Sequence, residues 1–81
     1  LLVVGPPRTG LSVQAMRNLL ETPLRHLIYI SCNPATWARD ALRLRKGGFE
    51  LNHLRGVNMF PRTGHFELFS FWMREPEARH G

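Results

Sequence analysis

The seven residues from Ile28 to Pro34 constrain the fold of this chain more than any other stretch. They read Ile-Tyr-Ile-Ser-Cys-Asn-Pro, an apolar run that ends in polar and turn-forming residues. Such a run is typical of a buried strand, whereas Asn33 is a preferred helix N-cap and Pro34 suits the first helical position. Apolar residues then recur at helical spacing, at Trp37, Ala38, Ala41, Leu42 and Leu44. The stretch therefore predicts a strand followed directly by a helix, with Cys32 at the carboxyl end of the strand.

The position of Cys32 admits two interpretations. In an open α/β sheet, the carboxyl ends of the strands form the edge at which ligands bind. The positive end of a helix dipole also favours an anion such as a thiolate. A reactive cysteine is therefore one interpretation, and the other is a small buried hydrophobic residue, the commonest fate of a lone free cysteine.

The composition narrows the class of protein. The 81 residues allow one small domain, and the single cysteine excludes an internal disulfide and argues against a structural zinc or iron–sulfur site. We therefore expect no metal and a reducing, cytoplasmic compartment, and no apolar run of about 18 residues predicts a membrane span. The formal charge is +5 with ten arginines, and because arginine pairs bidentately with phosphate, a polyanionic partner is compatible with it.

The predicted order of elements is β-α-β-α-β-β. Strands are predicted over residues 1–4, 24–30, 49–57 and 66–73, and helices over residues 11–21 and 34–46. Short strand–helix–strand connections imply a parallel pair, and the short final connection makes the last two strands antiparallel. The fold class is therefore α/β, one half of a doubly wound sheet with an antiparallel strand added.

Three finer expectations follow from the same patterns. The first strand is expected to be buried on both faces of a parallel sheet, and the last strand to be strongly buried. We interpret the arginines of the second helix, Arg39, Arg43 and Arg45, as a solvated face. The segment over residues 58–65 is predicted to be a loop.

Three loops fall where the strands of this fold bind ligands. They are Gly5-Pro6-Pro7-Arg8, Ser31-Cys32-Asn33-Pro34 and the segment from Met59 to Glu67. Together with Ala35-Thr36 and Ala38-Arg39-Asp40, they resemble in order and spacing the motifs of the S-adenosylmethionine-dependent RNA uracil-5-methyltransferases. The resemblance covers residues 1–74, concerns the C-terminal catalytic half of that family, and looks nearer the ribosomal RNA branch than the transfer RNA branch.

The resemblance implies a fold and a chemistry. The fold is the C-terminal half of a class I methyltransferase sheet, the cofactor is S-adenosylmethionine and the partner is RNA. A thiolate that adds to uracil C6 makes C5 nucleophilic, and a base must later remove the C5 proton. By resemblance Cys32 is the nucleophile and Glu67 the base. The resemblance assigns substrate contacts to Arg8, Asn33, Pro34, Thr63 and His65. It assigns cofactor contacts to Pro6 and Pro7.

Several of these roles have a structural alternative. Alternatively, Glu67 is an exposed carboxylate on a strand. If its side chain were buried beside Phe66 without a partner, the unpaired charge would cost free energy of folding. His65 is alternatively an ordinary loop histidine, and Arg8 a residue that serves solubility.

Two positions depart from the family pattern. Gly5 and Asn58 stand where the family usually has aspartate. The glycine removes a carboxylate from the substrate pocket, which puts the positioning of uracil or cofactor in question. One alternative to the enzyme is therefore a non-catalytic RNA-binding or interaction domain that kept the fold, and another is a methyltransferase for a different substrate.

The resemblance also concerns what lies outside this stretch. In the family a Gly-rich cofactor loop precedes the matching half, and no GxGxxG motif occurs here. We expect residues 1–74 to be a partial catalytic domain and residues 75–81 a polar tail. The strand over residues 1–4 would then lack a neighbour, and an apolar edge strand invites self-association.

Overall fold

A computed structural model describes residues 1–60 and 65–75, with side chains described except at residues 58–60, 65 and 66. The elements in chain order are β1 (Leu2–Val4), α1 (Val13–Glu21), β2 (His26–Ser31), α2 (Pro34–Lys46), β3 (Phe49–Phe60) and β4 (His65–Arg74). This order confirms the predicted β-α-β-α-β-β. Within the described ranges, neither helix has the length and apolar character needed to cross a membrane. Residues 76–81 of the predicted tail lie outside the described residues.

The four strands form one mixed sheet in the order β1-β2-β4-β3. β1 runs parallel to β2, β4 runs antiparallel to β2, and β3 and β4 pair as an antiparallel hairpin. The predicted parallel pair and the antiparallel final strands are confirmed. Because β4 inserts between β2 and β3, its amino-terminal end lies beside the carboxyl end of β2.

Both helices begin at residues that cap them. The Ser12 hydroxyl accepts a hydrogen bond from the Ala15 amide at 3.0 Å, and the Asn33 side-chain oxygen accepts one from the Ala35 amide at 3.0 Å. The second cap confirms the prediction for α2. The first places the start of α1 at Val13 rather than at residue 11, because a capping serine stands outside the helix that it caps.

The hydrophobic core lies on the face of the sheet that both helices cover. It contains Met16, Leu19, Leu27, Tyr29, Ala41, Leu44, Phe49 and Trp72. Directly opposed residues point to the same face, so Leu27 and Trp72 share the helix-covered face, whereas Ile28 and Phe71 share the opposite one. Residues of β2 and β4 on that opposite face are half-buried or exposed. The predicted strong burial of the last strand is therefore wrong for every second side chain.

The first strand is an edge strand, and the prediction that it is buried on both faces is wrong. Among the described residues β2 alone pairs with it. Leu2 and Val3 remain 40% and 54% exposed, and Val4 packs against the core. A strand at the end of a sheet has a neighbour on one side only, so an apolar sequence by itself does not bury it.

A buried serine joins three elements on the helix-covered face. The fully buried Ser70 hydroxyl accepts hydrogen bonds from the indole N–H groups of Trp37 at 2.9 Å and Trp72 at 2.8 Å. Its own O–H donates to the Tyr29 carbonyl oxygen at 3.1 Å. One hydroxyl thus satisfies a donor on α2, a donor on β4 and an acceptor on β2.

We expect Ser70→Ala to lower the free energy of unfolding by about 2 kcal/mol or more, because each buried donor left without a partner costs about 1–3 kcal/mol. For a domain of this size the melting temperature should fall by roughly 10 °C. Urea unfolding followed by tryptophan fluorescence measures the change. Ser12→Ala, which removes only a helix cap, should cost about 1 kcal/mol. Equal stability of Ser70→Ala and the parent protein would show that other groups satisfy the indoles.

Candidate active site

Cys32 and Glu67 lie at the same end of the sheet. β2 and β4 pair from His26 with Met73 to Ser31 with Leu68. Cys32 directly follows Ser31, the last residue of β2, and Glu67 directly precedes Leu68 on β4. Both residues are half-buried. The pairing of two strands that are distant in sequence thus leaves both residues to which the resemblance assigns catalysis at one end of the sheet.

A tight turn holds Cys32 between β2 and α2. The Ser31 hydroxyl accepts a hydrogen bond from the Asn33 amide and donates one to the Asn33 carbonyl oxygen, each at 3.0 Å. The Asn33 side chain caps α2, and Pro34 occupies the first turn of the helix. These contacts tie the backbone on both sides of Cys32, so the cysteine is held by a fixed turn at the helix start.

The loop after β1 approaches the same turn. The Asn33 side-chain amide donates to the Arg8 carbonyl oxygen at 3.3 Å. Pro6 is half-buried, and Pro7 and Arg8 are exposed. A cavity of about 480 Å³ adjoins the loop, with Pro6 and Pro7 in its wall and arginines of α2 opposite them. The structure therefore brings the first and second predicted loops together through Asn33.

The third predicted loop is only partly described. Pro61, Arg62, Thr63 and Gly64 lie outside the described residues. The prediction of a loop over residues 58–65 is wrong at both ends, because β3 continues to Phe60 and β4 begins at His65, and these two residues pair. An irregularity in the register between Val57 and Phe60 interrupts the alternation from which a strand is predicted. His65 therefore starts a strand rather than ending a loop.

Asp40 is a buried residue of this region that the sequence reasoning missed. Its carboxylate is fully buried and accepts hydrogen bonds from the Leu11 amide at 2.8 Å and the Tyr29 hydroxyl at 2.5 Å. The signal was available, because Asp40 interrupts the apolar stripe of α2 between Trp37 and Leu44. Burial, together with the hydrogen bond to Asp40, raises the pKa of the Tyr29 phenol above its ordinary value, so Tyr29 stays a neutral donor.

Two of the three helix arginines are not a solvated face. Arg39 lies 3.3 Å and Arg43 3.5 Å from the buried Asp40 carboxylate. Arg39 also donates to the Thr9 carbonyl oxygen at 2.6 Å, and both arginines reach the Leu11 carbonyl oxygen. A buried carboxylate requires such partners. Arg45 is exposed, as predicted. The Arg39 side chain is also 43% exposed although it is ion-paired, and only Arg43 is half-buried.

The fold has a match among solved structures that defines its class. The chain superimposes with a TM-score of 0.74 and 32% identity on a tRNA (uracil-54, C5)-methyltransferase of Pyrococcus abyssi, solved in complex with S-adenosyl-L-homocysteine. The match covers 88% of this chain and 17% of that protein. The fold of this chain is therefore similar to part of a methyltransferase, which confirms the predicted fold class.

The particular family follows from the sequence comparisons. The family model described as tRNA (Uracil-5-)-methyltransferase matches residues 1–75, and the chain belongs to that family. An uncharacterized RNA methyltransferase of Enterococcus faecalis is 47% identical over 66 residues, and one of Aquifex aeolicus is 48% identical over 67 residues. These alignments cover 82% and 83% of this chain but only 14% and 16% of the relatives' own lengths.

The RNA branch is not resolved by these matches. The relatives are described only as RNA methyltransferases, and the solved structure is a transfer RNA enzyme. The preference for the ribosomal RNA branch, predicted from Asn33-Pro34-Ala35-Thr36 and Arg62-Thr63-Gly64-His65, therefore stays a prediction.

Proposed function

We propose that this chain is the C-terminal part of the catalytic domain of an enzyme that forms 5-methyluridine in RNA. Cys32 is the nucleophile in this proposal, Glu67 the base and S-adenosylmethionine the methyl donor. The observation that supports it is that Cys32 directly follows Ser31 and Glu67 directly precedes Leu68, the residue that pairs with Ser31, so both lie at the end of the sheet where ligands bind in this fold class. Membership in the uracil-5-methyltransferase family supplies the class of reaction.

The first chemical step belongs to Cys32. Its thiolate forms a bond to uracil C6, and the electron pair of the C5–C6 double bond moves onto C5 and the C4 carbonyl. C5 is now nucleophilic and takes the methyl group. Bound S-adenosylmethionine supplies that group from a sulfonium, whose sulfur keeps the bonding pair when the methyl leaves. Covalent catalysis is needed because C5 of free uracil is too weak a nucleophile to take the methyl group directly.

The last chemical step belongs to Glu67. After methylation C5 carries both a methyl group and its original proton. The carboxylate takes that proton, the C5–C6 double bond forms again and the bond between sulfur and C6 breaks. The departing pair returns to the sulfur of Cys32, which restores the enzyme. Proton removal by a positioned base accelerates such steps by ~10²–10⁴-fold.

The share of this chain in the cofactor site is one apolar wall. Pro6 and Pro7 offer apolar surface at the carboxyl end of β1, beside the open edge of the described sheet. These two prolines could therefore contact only one side of a bound cofactor. The cavity of about 480 Å³ is lined by two arginines and by no carboxylate, so it does not fit a cation such as the sulfonium. The remaining contacts would come from residues outside this chain.

The proposed substrate is RNA, with ribosomal RNA favoured, in the cytoplasm. Substrate contacts are assigned to Arg8, Asn33, Pro34, Thr63 and His65. The hydrogen bond from Asn33 to Arg8 supports a joint role for the first two. The target uracil must leave the base stack to reach a cysteine at the end of a strand.

One experiment tests the proposed reaction. The complete protein that contains these residues is incubated with S-adenosylmethionine and RNA tritiated at uracil C5. Methylation at C5 releases the tritium to water, and parallel reactions with ribosomal and transfer RNA transcripts identify the branch. Release from ribosomal RNA alone is expected. Release from transfer RNA alone would overturn the branch, and methyl transfer without tritium release would overturn the C5 chemistry.

The non-catalytic alternative rests on Gly5, where the family usually has aspartate. A Cβ at Gly5 would meet no atom within 4 Å, so Gly5→Asp can be made without a clash. If the parent protein is an RNA-binding domain that lost activity, it should bind RNA and release no tritium. The Gly5→Asp variant should then recover at most weak activity. Robust turnover by the parent protein excludes that alternative.

The isolated 81-residue chain should self-associate and bind S-adenosylmethionine poorly. Within residues 1–60 and 65–75, the apolar strand β1 pairs with β2 alone, and apolar strand edges of this kind pair with other chains. Light scattering should report a species larger than 9.4 kDa, and calorimetry should detect no micromolar cofactor binding. Val3→Lys on the edge should lower the mass, whereas Val13→Lys on exposed α1 should not. A monomer that binds the cofactor tightly would contradict this expectation.

A further inference from the structure

The buried Asp40 carboxylate has no role in the reaction as proposed, yet it lies at the junction of three elements. It is carried by α2, bonds the Leu11 amide at the end of the loop after β1, and bonds the Tyr29 hydroxyl on β2. Cys32 directly follows β2, and only the capping residue Asn33 separates it from α2. The carboxylate therefore connects the loop that carries Arg8 to both elements that hold Cys32.

The loop is held along its length by groups of α2. The Arg39 guanidinium, anchored on Asp40 at 3.3 Å, donates to the Thr9 carbonyl oxygen at 2.6 Å. One loop residue earlier, Asn33 donates to the Arg8 carbonyl oxygen. Asn33 and Asp40 are seven residues apart, which places them on one side of the helix at a separation of about 10 Å. The loop is thus fastened at two points to one rigid helix.

The loop in turn is shaped to fit this carboxylate. Gly10 is buried and has φ +84°, a conformation that side chains rarely adopt. A Cβ at Gly10 would lie 2.7 Å from the Asp40 Oδ2 atom and would also clash with the Arg39 guanidinium. The Gly10 amide donates to the Pro7 carbonyl oxygen at 2.7 Å, which closes a turn over the carboxylate. Contact between the loop backbone and Asp40 therefore requires glycine at this position.

We propose that Asp40 is a positioning residue that fixes the Pro6–Leu11 loop, and with it Arg8, relative to Cys32. The inference rests on the proposed function, since it gives the loop its task of holding substrate. Asp40 itself touches neither substrate nor cofactor. It acts through the Leu11 amide, the Tyr29 hydroxyl and Arg39, so that the loop and the nucleophile move as one body.

Two variants test the proposal from opposite sides of the contact. Asp40→Asn keeps the shape but loses the charge that orders Arg39, and its amide nitrogen cannot accept a hydrogen bond. Gly10→Ala leaves the carboxylate intact and displaces the loop through the new Cβ. For both variants of the complete protein we expect KM for RNA to rise by ~10–10²-fold, the scale of a misplacement of about 1 Å. Backbone amide exchange over residues 6–11 should accelerate by ~10-fold or more.

Three controls separate positioning from stability and from the proposed reaction. Ser70→Ala destabilises the same domain through the hydrogen bonds of Ser70 to Trp37, Trp72 and the Tyr29 carbonyl rather than through Asp40 or the loop. Its KM should therefore stay at the parent value at a temperature where circular dichroism shows it folded. Tyr29→Phe removes one donor but keeps the contact of the loop with the carboxylate, and should raise KM by less than ~3-fold, since one neutral hydrogen bond is a small loss. Exposed Arg17→Ala should change nothing.

The outcomes are distinguishable. Parent-like KM together with parent-like exchange over residues 6–11 in folded Asp40→Asn would overturn the inference. An equal rise of KM in Ser70→Ala would also overturn it, because destabilisation alone would then explain the effect. If the parent protein transfers no methyl group, the proposed function fails, while the exchange measurement still decides whether Asp40 fixes the loop.

Discussion

Cys32→Ala should abolish the covalent complex that the complete protein forms with RNA containing 5-fluorouracil. With the parent protein, methylation leaves fluorine and methyl on C5 with no proton to remove, so Cys32 stays bound to C6. The complex then migrates slowly on a denaturing gel. Without the thiol no bond to C6 forms. Turnover on ordinary RNA should fall below detection, since losing a covalent nucleophile costs on the order of 10⁶-fold in kcat where it has been measured.

The controls for Cys32 separate chemistry from folding. Cys32→Ser keeps the size of the side chain at the turn and replaces the sulfur by a far weaker nucleophile, so it too should form no complex. Both variants should bind RNA as tightly as the parent protein, because the turn is held by Ser31 and Asn33 rather than by the thiol. A complex of parent abundance with Cys32→Ala would assign the nucleophile to another residue.

Glu67→Gln should trap the enzyme on ordinary uracil RNA. The amide cannot take the C5 proton, so the methylated intermediate keeps its bond to Cys32 while turnover falls by ~10²-fold or more. The trapped complex should survive a denaturing gel and carry the labelled methyl group from S-adenosylmethionine. Its accumulation distinguishes a late role of Glu67 from a role in binding, which would lower complex formation instead.

A matched carboxylate on the same hairpin provides the control. Glu50 is exposed on β3 and opposite Met73, and Glu50→Gln should leave turnover and complex formation at parent levels. If Glu67→Gln behaves like Glu50→Gln, Glu67 is a strand residue without a part in the reaction.

Local patterns were enough to predict the elements. The turn at Ser31-Cys32-Asn33-Pro34 and the start of α2 follow from a strand run, a capping asparagine and a proline, all within a few residues. The order β-α-β-α-β-β and the hairpin of β3 and β4 are confirmed for the same reason. Such features depend on the backbone preferences of residues that are neighbours in the sequence.

Burial was harder to predict because it depends on which strand lies next to which. In the described sheet β1 pairs with β2 alone, and its residues Leu2 and Val3 are exposed. Phe71 faces the side that α1 and α2 do not cover. Arg74 lies at the start of the polar end of the chain, yet its guanidinium donates to the carbonyl oxygens of Leu20, Leu24 and Gly47. These partners are 27 to 54 residues away, a separation that no periodicity reveals.

The sequence by itself determined the identities of the reactive groups, the family motifs and the local frame of Cys32, because these are properties of short segments. Only the tertiary structure decided that Glu67 lies at the same end of the sheet as Cys32, since that requires β4 to pair with β2. The same packing buries Asp40 beneath the loop after β1. A buried carboxylate is stable only where several donors converge on it, and that convergence exists only when the loop, β2 and α2 have come together.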